Sequence, residues 1–206
     1  VLCIGPSNSG KSTLLDRLVD EKQLLRSEIV GSDTFRQLVA DIDYIDFSTV
    51  LREEQDTLYE EYQRISTEAF HVLQEVVSAR AKLNKVTFVD ATHLRNYERA
   101  KYFEIAKKHH VPILALVFDI PKNELLKRDE QRTQPRGKKR IEQQIQTFQS
   151  ELRHIKKDPF LKIYTWRGEA ITISRKKSPH LLDLGAGFDI IGDIHGSFDE
   201  MISLIT

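Results

Sequence analysis

Scarcity is the first thing this 206-residue chain shows. It has one cysteine, Cys3, which excludes an internal disulfide framework and suits a reducing cytosol. Cys3 lies in an apolar run and reads as a packing residue rather than a reactive thiol. The only methionine is Met201, and the chain opens on Val1-Leu2-Cys3 with no charged or apolar leader. The expectation is a piece excised from a longer polypeptide, cut close to its first strand. No apolar run approaches the roughly 20 residues that a membrane helix requires, so a cytoplasmic location without a membrane partner is expected. A surplus of charge is also missing. The 31 basic residues match 31 acidic ones, which argues against a broad electrostatic grip on nucleic acid and leaves room for a local basic groove. No self-similarity recurs at the roughly 20 to 50 residue periods of solenoids.

What is present is an ordinary globular composition, 40% hydrophobic and 30% charged, enough to bury a core and too apolar for a disordered chain. Short β-rich runs (VLCIG, EIVGS, KVTFVDAT, ILALVFDI and LKIYTW) alternate with longer amphipathic stretches. Continuous apolar runs separated by helices mark parallel strands buried on both faces. The rhythm predicts a three-layer α/β/α domain with a parallel sheet of about five strands and a helical lid. Three segments break it. Residues 41–61 are acidic and tyrosine-rich, and read as an insertion that forms an extra helix or extends the first half of the helix behind it. Residues 127–140 (KRDEQRTQPRGKKR) are basic and interrupted by Pro135 and Gly137, and read as a helix running into a mobile loop. Residues 176–187 (KKSPHLLDLGAG) have no period and read as a linker.

Gly5-Pro6-Ser7-Asn8-Ser9-Gly10-Lys11-Ser12-Thr13 fits GxxxxGK[ST], with a strand before it and an amphipathic helix after it. Glycines let the loop wrap so that successive N–H groups face phosphate oxygens. Lys11 then neutralises the β/γ-phosphates, and the Ser12 hydroxyl joins a Mg²⁺ shell. Asp33, in Gly31-Ser32-Asp33-Thr34-Phe35-Arg36, is either an ordinary helix cap or an acid at the ligand-facing end of a parallel strand. In the second case it accepts a proton from an attacking hydroxyl, and Arg36, one turn on, holds a phosphate. Asp90 ends the third run, where an acid either caps the next turn or orders Mg²⁺ and its waters. Thr92 and His93 follow, facing substrate or beginning a helix. Arg128 and Arg132 share one helical face. That face is either solvated and tied by Glu124, or a lid that meets the γ-phosphate with Arg136 joining from the loop.

In this order, GPSNSGKST, GSDTFRQLV, VDATHLRNYERAKYFEIAKKHH, a lid with RDEQRT, and FDIIGDIHGSFDE resemble bacterial polynucleotide kinase-phosphatase. That family joins an N-terminal P-loop kinase to a calcineurin-like phosphatase and usually to a ligase-like nucleotidyltransferase. The resemblance implies ATP and Mg²⁺ at Gly5, Ser7, Asn8, Ser9, Gly10, Lys11, Ser12 and Thr13, with Asp90 close to the metal. It makes Asp33 the general base on a 5′-hydroxyl end of RNA or DNA, with Arg36 on the neighbouring phosphate. Thr92 and His93 become acceptor contacts, and Arg128 and Arg132 the lid arginines. The family often shows Asn where His93 stands. Asp193 and His195 match the first metal-binding motif of the phosphatase, which in the full-length protein would use Mn²⁺ or a similar divalent ion. Two ligands cannot hold a dinuclear site, so no phosphatase activity is expected from this chain. The implied division is a P-loop kinase domain over 1–175, a linker over 176–187 and a truncated metallophosphoesterase start over 188–206.

Two other functions fit the same motifs: a P-loop kinase of a small metabolite, and an ATP-gated regulatory module that uses 41–61 as a partner surface. The sequence leaves open RNA against DNA, and a homodimer against a monomer.

Overall fold

The computed structural model describes residues 1–42, 55–133 and 135–174. Five strands make one parallel sheet: β1 (Leu2–Ile4), β2 (Ile29–Gly31), β3 (Phe88–Asp90), β4 (Leu114–Phe118) and β5 (Lys162–Trp166), in the order β2-β3-β1-β4-β5. Every neighbouring pair is parallel, from Gly31 opposite Asp90 at one edge to Phe118 opposite Trp166 at the other. The central strand β1 is buried at all three positions, as a strand covered on both faces must be.

Six helices connect them: α1 (Lys11–Asp20), α2 (Ser32–Ala40), α3 (Gln55–Lys82), α4 (Asn96–His109), α5 (Lys122–Glu130) and α6 (Lys138–Ile155). Their buried residues follow the helical period. In α1 these are Lys11, Leu14, Leu15 and Leu18, and in α6 Ile141, Ile145, Phe148 and Ile155. Tyr62, Ile65, Ala69, Leu73 and Val77 run down one side of α3 in the same way. The core joins Leu2, Ile4, Val89, Ala115 and Val117 of the sheet to Ala69, Leu73, Tyr102 and Phe148 of the helices.

The five strands and the α/β class are those read from the sequence. Residues 55–61 belong to the first half of α3, while 43–54 lie outside the described residues. One expectation is corrected between β4 and β5. Instead of a single helix entering a mobile loop, α5 stops at Glu130 and a second helix, α6, starts at Lys138. The sheet, the helices and the cleft described below belong to one unit, Val1–Ile171. The linker over 176–187, the proposed phosphoesterase start, Asp193 and His195 lie outside the described residues. Among the described residues, no helix is long and apolar enough to cross a membrane.

Candidate active site

In a parallel sheet, the carboxyl ends of the strands and the helix N-termini that follow them converge on one edge, where ligands bind. Here that edge opens into a cavity of about 1340 Å³ reaching from Ser7 and Lys11 to Asp33, Asp90, Thr92, Arg128 and Arg132. The loop Gly5–Gly10 leaves the central strand and enters α1. Gly5 has no room for a side chain, since a Cβ there would lie 2.9 Å from Phe118 Cβ. Gly10 has φ +89°, left-handed backbone that glycine adopts without strain, and a Cβ would approach Arg128 Nη1 and the Trp166 ring at 3.4 Å.

Lys11 is buried, and its ammonium donates to Gly5 O (3.0 Å), Pro6 O (2.7 Å) and Ser9 Oγ (3.2 Å). Burial lowers its pKa, with Asp90 pulling the other way. The Ser12 hydroxyl donates to Asp90 Oδ2 at 2.6 Å. Burial raises the Asp90 pKa, opposed first by Lys11 and then by Ser12. These residues fit a metal–nucleotide pair: Ser12 and Asp90 are adjacent hard-oxygen donors of the kind Mg²⁺ takes, and the loop's carbonyls hold the Lys11 cation beside them. Thr13, exposed, lines the same cavity.

Asp33 does not cap α2, whose N-cap is Gly31 with no side-chain capping bond. Its side chain, 58% exposed, faces the cavity and is ion-paired with Arg36 Nη1 and with Arg136 Nη2 at 3.4 Å. Arg36 is buried, donates from Nε to Ser66 Oγ (3.1 Å) and lies 5.4 Å from the Tyr62 ring centroid. One carboxylate and two guanidiniums thus stand together across the cavity from the loop.

Arg128 of α5 and Arg132 both reach the loop, although α5 ends at Glu130, so Arg132 lies past the helix and the two do not share one helical face. Arg128 Nη1 donates to Asn8 O (3.3 Å) and Arg132 Nη1 to Asn8 Oδ1 (2.9 Å). Arg128 also pairs with Glu124 at 2.8 Å, so the surface tie and the loop contact coexist. Sequence reading missed the residue that organises this lid. Asp129, 3% exposed, accepts from Asn8 Nδ2 (2.8 Å) and Arg136 N (2.9 Å) on Oδ1, and from Gly137 N (2.9 Å) on Oδ2. A buried carboxylate is stable only when its lone pairs are used, and these three donors use them. The available signal was its spacing four residues after Leu125, the other buried residue of α5. Gln144 was likewise missed; its Oε1 accepts from Ser7 N at 2.7 Å.

Thr92 lines the cavity, but His93 does not, which corrects its assignment to the acceptor. His93 is 2% exposed, with φ +45°, and Nδ1 lies 2.8 Å from Cys3 O. A carbonyl only accepts, so the ring carries a proton on Nδ1. Burial lowers its pKa to about 4, although the Cys3 bond acts in the opposite direction. The left-handed backbone turns the side chain inward, against the edge of Tyr102 at 5.0 Å between centroids. Arg99, wholly buried, then fixes this loop: it donates to His93 O (3.1 Å) and Leu94 O (2.6 Å), and pairs with Asp158 (2.6 Å) and Glu151 (3.2 Å).

The family model described as AAA domain (AAA_33) matches residues 1–155, and the chain belongs to that family. No curated protein matches the sequence. Among solved structures, a protein from Chloroflexus aurantiacus assigned as a kinase superposes with a TM-score of 0.50 at 13% identity, over 90% of this chain and 88% of that one. A sugar kinase from a Janibacter species gives 0.48 at 18%, over 81% and 83% of the two chains. The APS kinase of Mycobacterium tuberculosis, in complex with AMPPNP and APS, gives 0.44 at 19%, over 99% and 95%. At such identities the likeness concerns the fold, which is that of the P-loop kinases.

Proposed function

We propose that this chain is the kinase part of a nucleic-acid end-repair enzyme, moving the γ-phosphoryl group of ATP to 5′-hydroxyl ends of RNA or DNA. The observation that carries the reading is Asp33, held against Arg36 and Arg136 in the same cavity as the phosphate loop. ATP with Mg²⁺ supplies an electrophilic phosphorus, and Ser12 and Asp90 are the residues that would hold the metal. Asp33 accepts the proton of the attacking hydroxyl as the new O–P bond forms and the bond to the β,γ-bridging oxygen breaks, releasing ADP. Arg36 holds the acceptor's first phosphate, which keeps the hydroxyl at Asp33. Lys11, Arg128 and Arg132 counter the negative charge carried by the transferred group and by ADP. Thr92 lines the acceptor's path. The resemblance to polynucleotide kinase-phosphatase also supports assigning 188–206 to the start of a phosphatase domain.

The test is a radiolabel transfer assay with a 5′-OH oligonucleotide, a panel of nucleosides, sugars and other small hydroxylated metabolites, and ATP alone. Label on the oligonucleotide is the expected result. Label confined to a small metabolite would replace the reading with a metabolite kinase, and phosphate release without transfer would point to a nucleotide-driven switch.

A further inference from the structure

Resting on the polynucleotide reading, we propose that the acceptor side of the cleft has a second phosphate subsite, built by Arg140 and Arg136 against Tyr62, so that the enzyme reads two successive phosphates of a strand. Arg140 stands in the first turn of α6, half-buried, and lines the cavity. Its guanidinium lies 5.8 Å from the centroid of the Tyr62 ring, the same ring that Arg36 approaches at 5.4 Å. Tyr62 is 5% exposed, so its ring is a fixed surface against which both cations rest.

Charge bookkeeping then identifies the ligand. Asp33 is ion-paired with Arg36 and Arg136, whereas Arg140 has no ion pair among the described residues. Burial is the main cause that lowers the Arg136 pKa; Asp33 and then Tyr62 oppose it, and Arg132 and Arg140 add smaller depressions, as expected for neighbouring cations. The repulsion between these cations is relieved further when an anion arrives. The contacts set the direction: Arg36 and Arg136 are ion-paired with Asp33, where the hydroxyl would react, whereas Arg140 is not and rests on the Tyr62 ring. A guanidinium fork suits a phosphate oxygen pair, and a single strand offers one phosphate per nucleotide. Arg36 would serve the phosphate next to the 5′-hydroxyl, and Arg140 the next one along.

Two 5′-OH probes decide this: a nucleoside 3′-phosphate with one phosphate, and a dinucleotide 3′-phosphate with two. Their affinities for wild type, Arg140→Ala and Arg140→Lys are measured by calorimetry at several salt concentrations, with thermal melts checking the fold. Wild type should bind the two-phosphate probe about tenfold or more tightly than the other, the effect of one charge-assisted contact. In Arg140→Ala this ratio should fall towards one, and the salt slope for the longer probe should shrink by about 0.7. Arg140→Lys should recover the salt slope but only part of the ratio. A wild type that phosphorylates 5′-OH oligonucleotides yet gains nothing from the second phosphate would overturn the subsite alone. An Arg140→Ala variant with the wild-type ratio would do the same. A wild type that neither binds nor phosphorylates any 5′-OH probe would overturn both readings.

Discussion

Asp33 and His93 show how one residue's surroundings decide its work. Asp33 is open to the cleft and oriented by two guanidiniums, so Asp33→Asn should keep nucleotide affinity and fold while turnover falls about 10²- to 10⁴-fold, the usual weight of a general base. Calorimetry with Mg²⁺-ATP beside the transfer assay checks this, and wild-type turnover would leave Asp33 only its contacts with the arginines. His93 is closed in, neutral, with its pKa lowered from 6.5 to about 4. Between those values the unfolded chain binds the extra proton, so stability is complete above about pH 6.5 and declines as pH falls towards 4. The loss should approach roughly 3 kcal/mol, at about 1.4 kcal/mol per pKa unit. Urea unfolding at a series of pH values measures it. Asn tolerates the left-handed backbone at this position, so His93→Asn should fold and lose less stability across that range. An acid limb as steep as in wild type would place its origin elsewhere.

At the scale of elements, the lid is an assembly pinned from within by Asp129. Its two oxygens take N–H donors from the phosphate loop and from the start of the segment leading into α6. In Asp129→Asn the amide must turn an N–H towards one of those donors, which costs on the order of 1–3 kcal/mol. The melting temperature should fall, and turnover should fall by more than stability explains, because Arg136 is then no longer held against Asp33. Steady-state kinetics on the folded variant checks this, and unchanged kcat would show that Arg136 holds its place unaided. Arg99 does similar work after β3. It ties the turn after β3 to α6 and Asp158, and Arg99→Ala should destabilise by about 3–5 kcal/mol, since two carboxylates are left without their cation. Chemical denaturation measures that loss.

For the whole molecule, the fold was legible because period and composition agree: continuous apolar runs give β1 and β4, and Leu14, Leu15 and Leu18 repeat at the spacing of a helix. The phosphate loop was legible because its glycines answer local needs, at Gly5 for space and at Gly10 for backbone angle. The polar residues that hold distant parts together were not. Asp129, Arg99 and Gln144 look like solvated charges or amides in any local window, and their partners lie up to 137 positions away. His93 misled for the same reason, since its partner is Cys3 in the first strand. A protein assembled across such distances should respond to its ligand as a unit. Mg²⁺-ATP at about 100 times its Kd should stabilise the fold by about 2.7 kcal/mol. Lys11→Ala should abolish most of that gain in a thermal melt, and a full gain in the variant would remove the loop from nucleotide binding.

Trp166 is the only tryptophan of the chain. Its ring, 7% exposed, would touch a Cβ built on Gly10 at 3.4 Å, as would a guanidinium nitrogen of Arg128. The molecule therefore carries its own optical gauge at the phosphate loop. Light absorbed by the indole is re-emitted with a colour and yield that depend on the charges beside it, and a nucleotide that settles on Gly10 and draws on Arg128 should alter both. Loading and emptying of the cleft by Mg²⁺-ATP should then be seen in real time without a dye or a label.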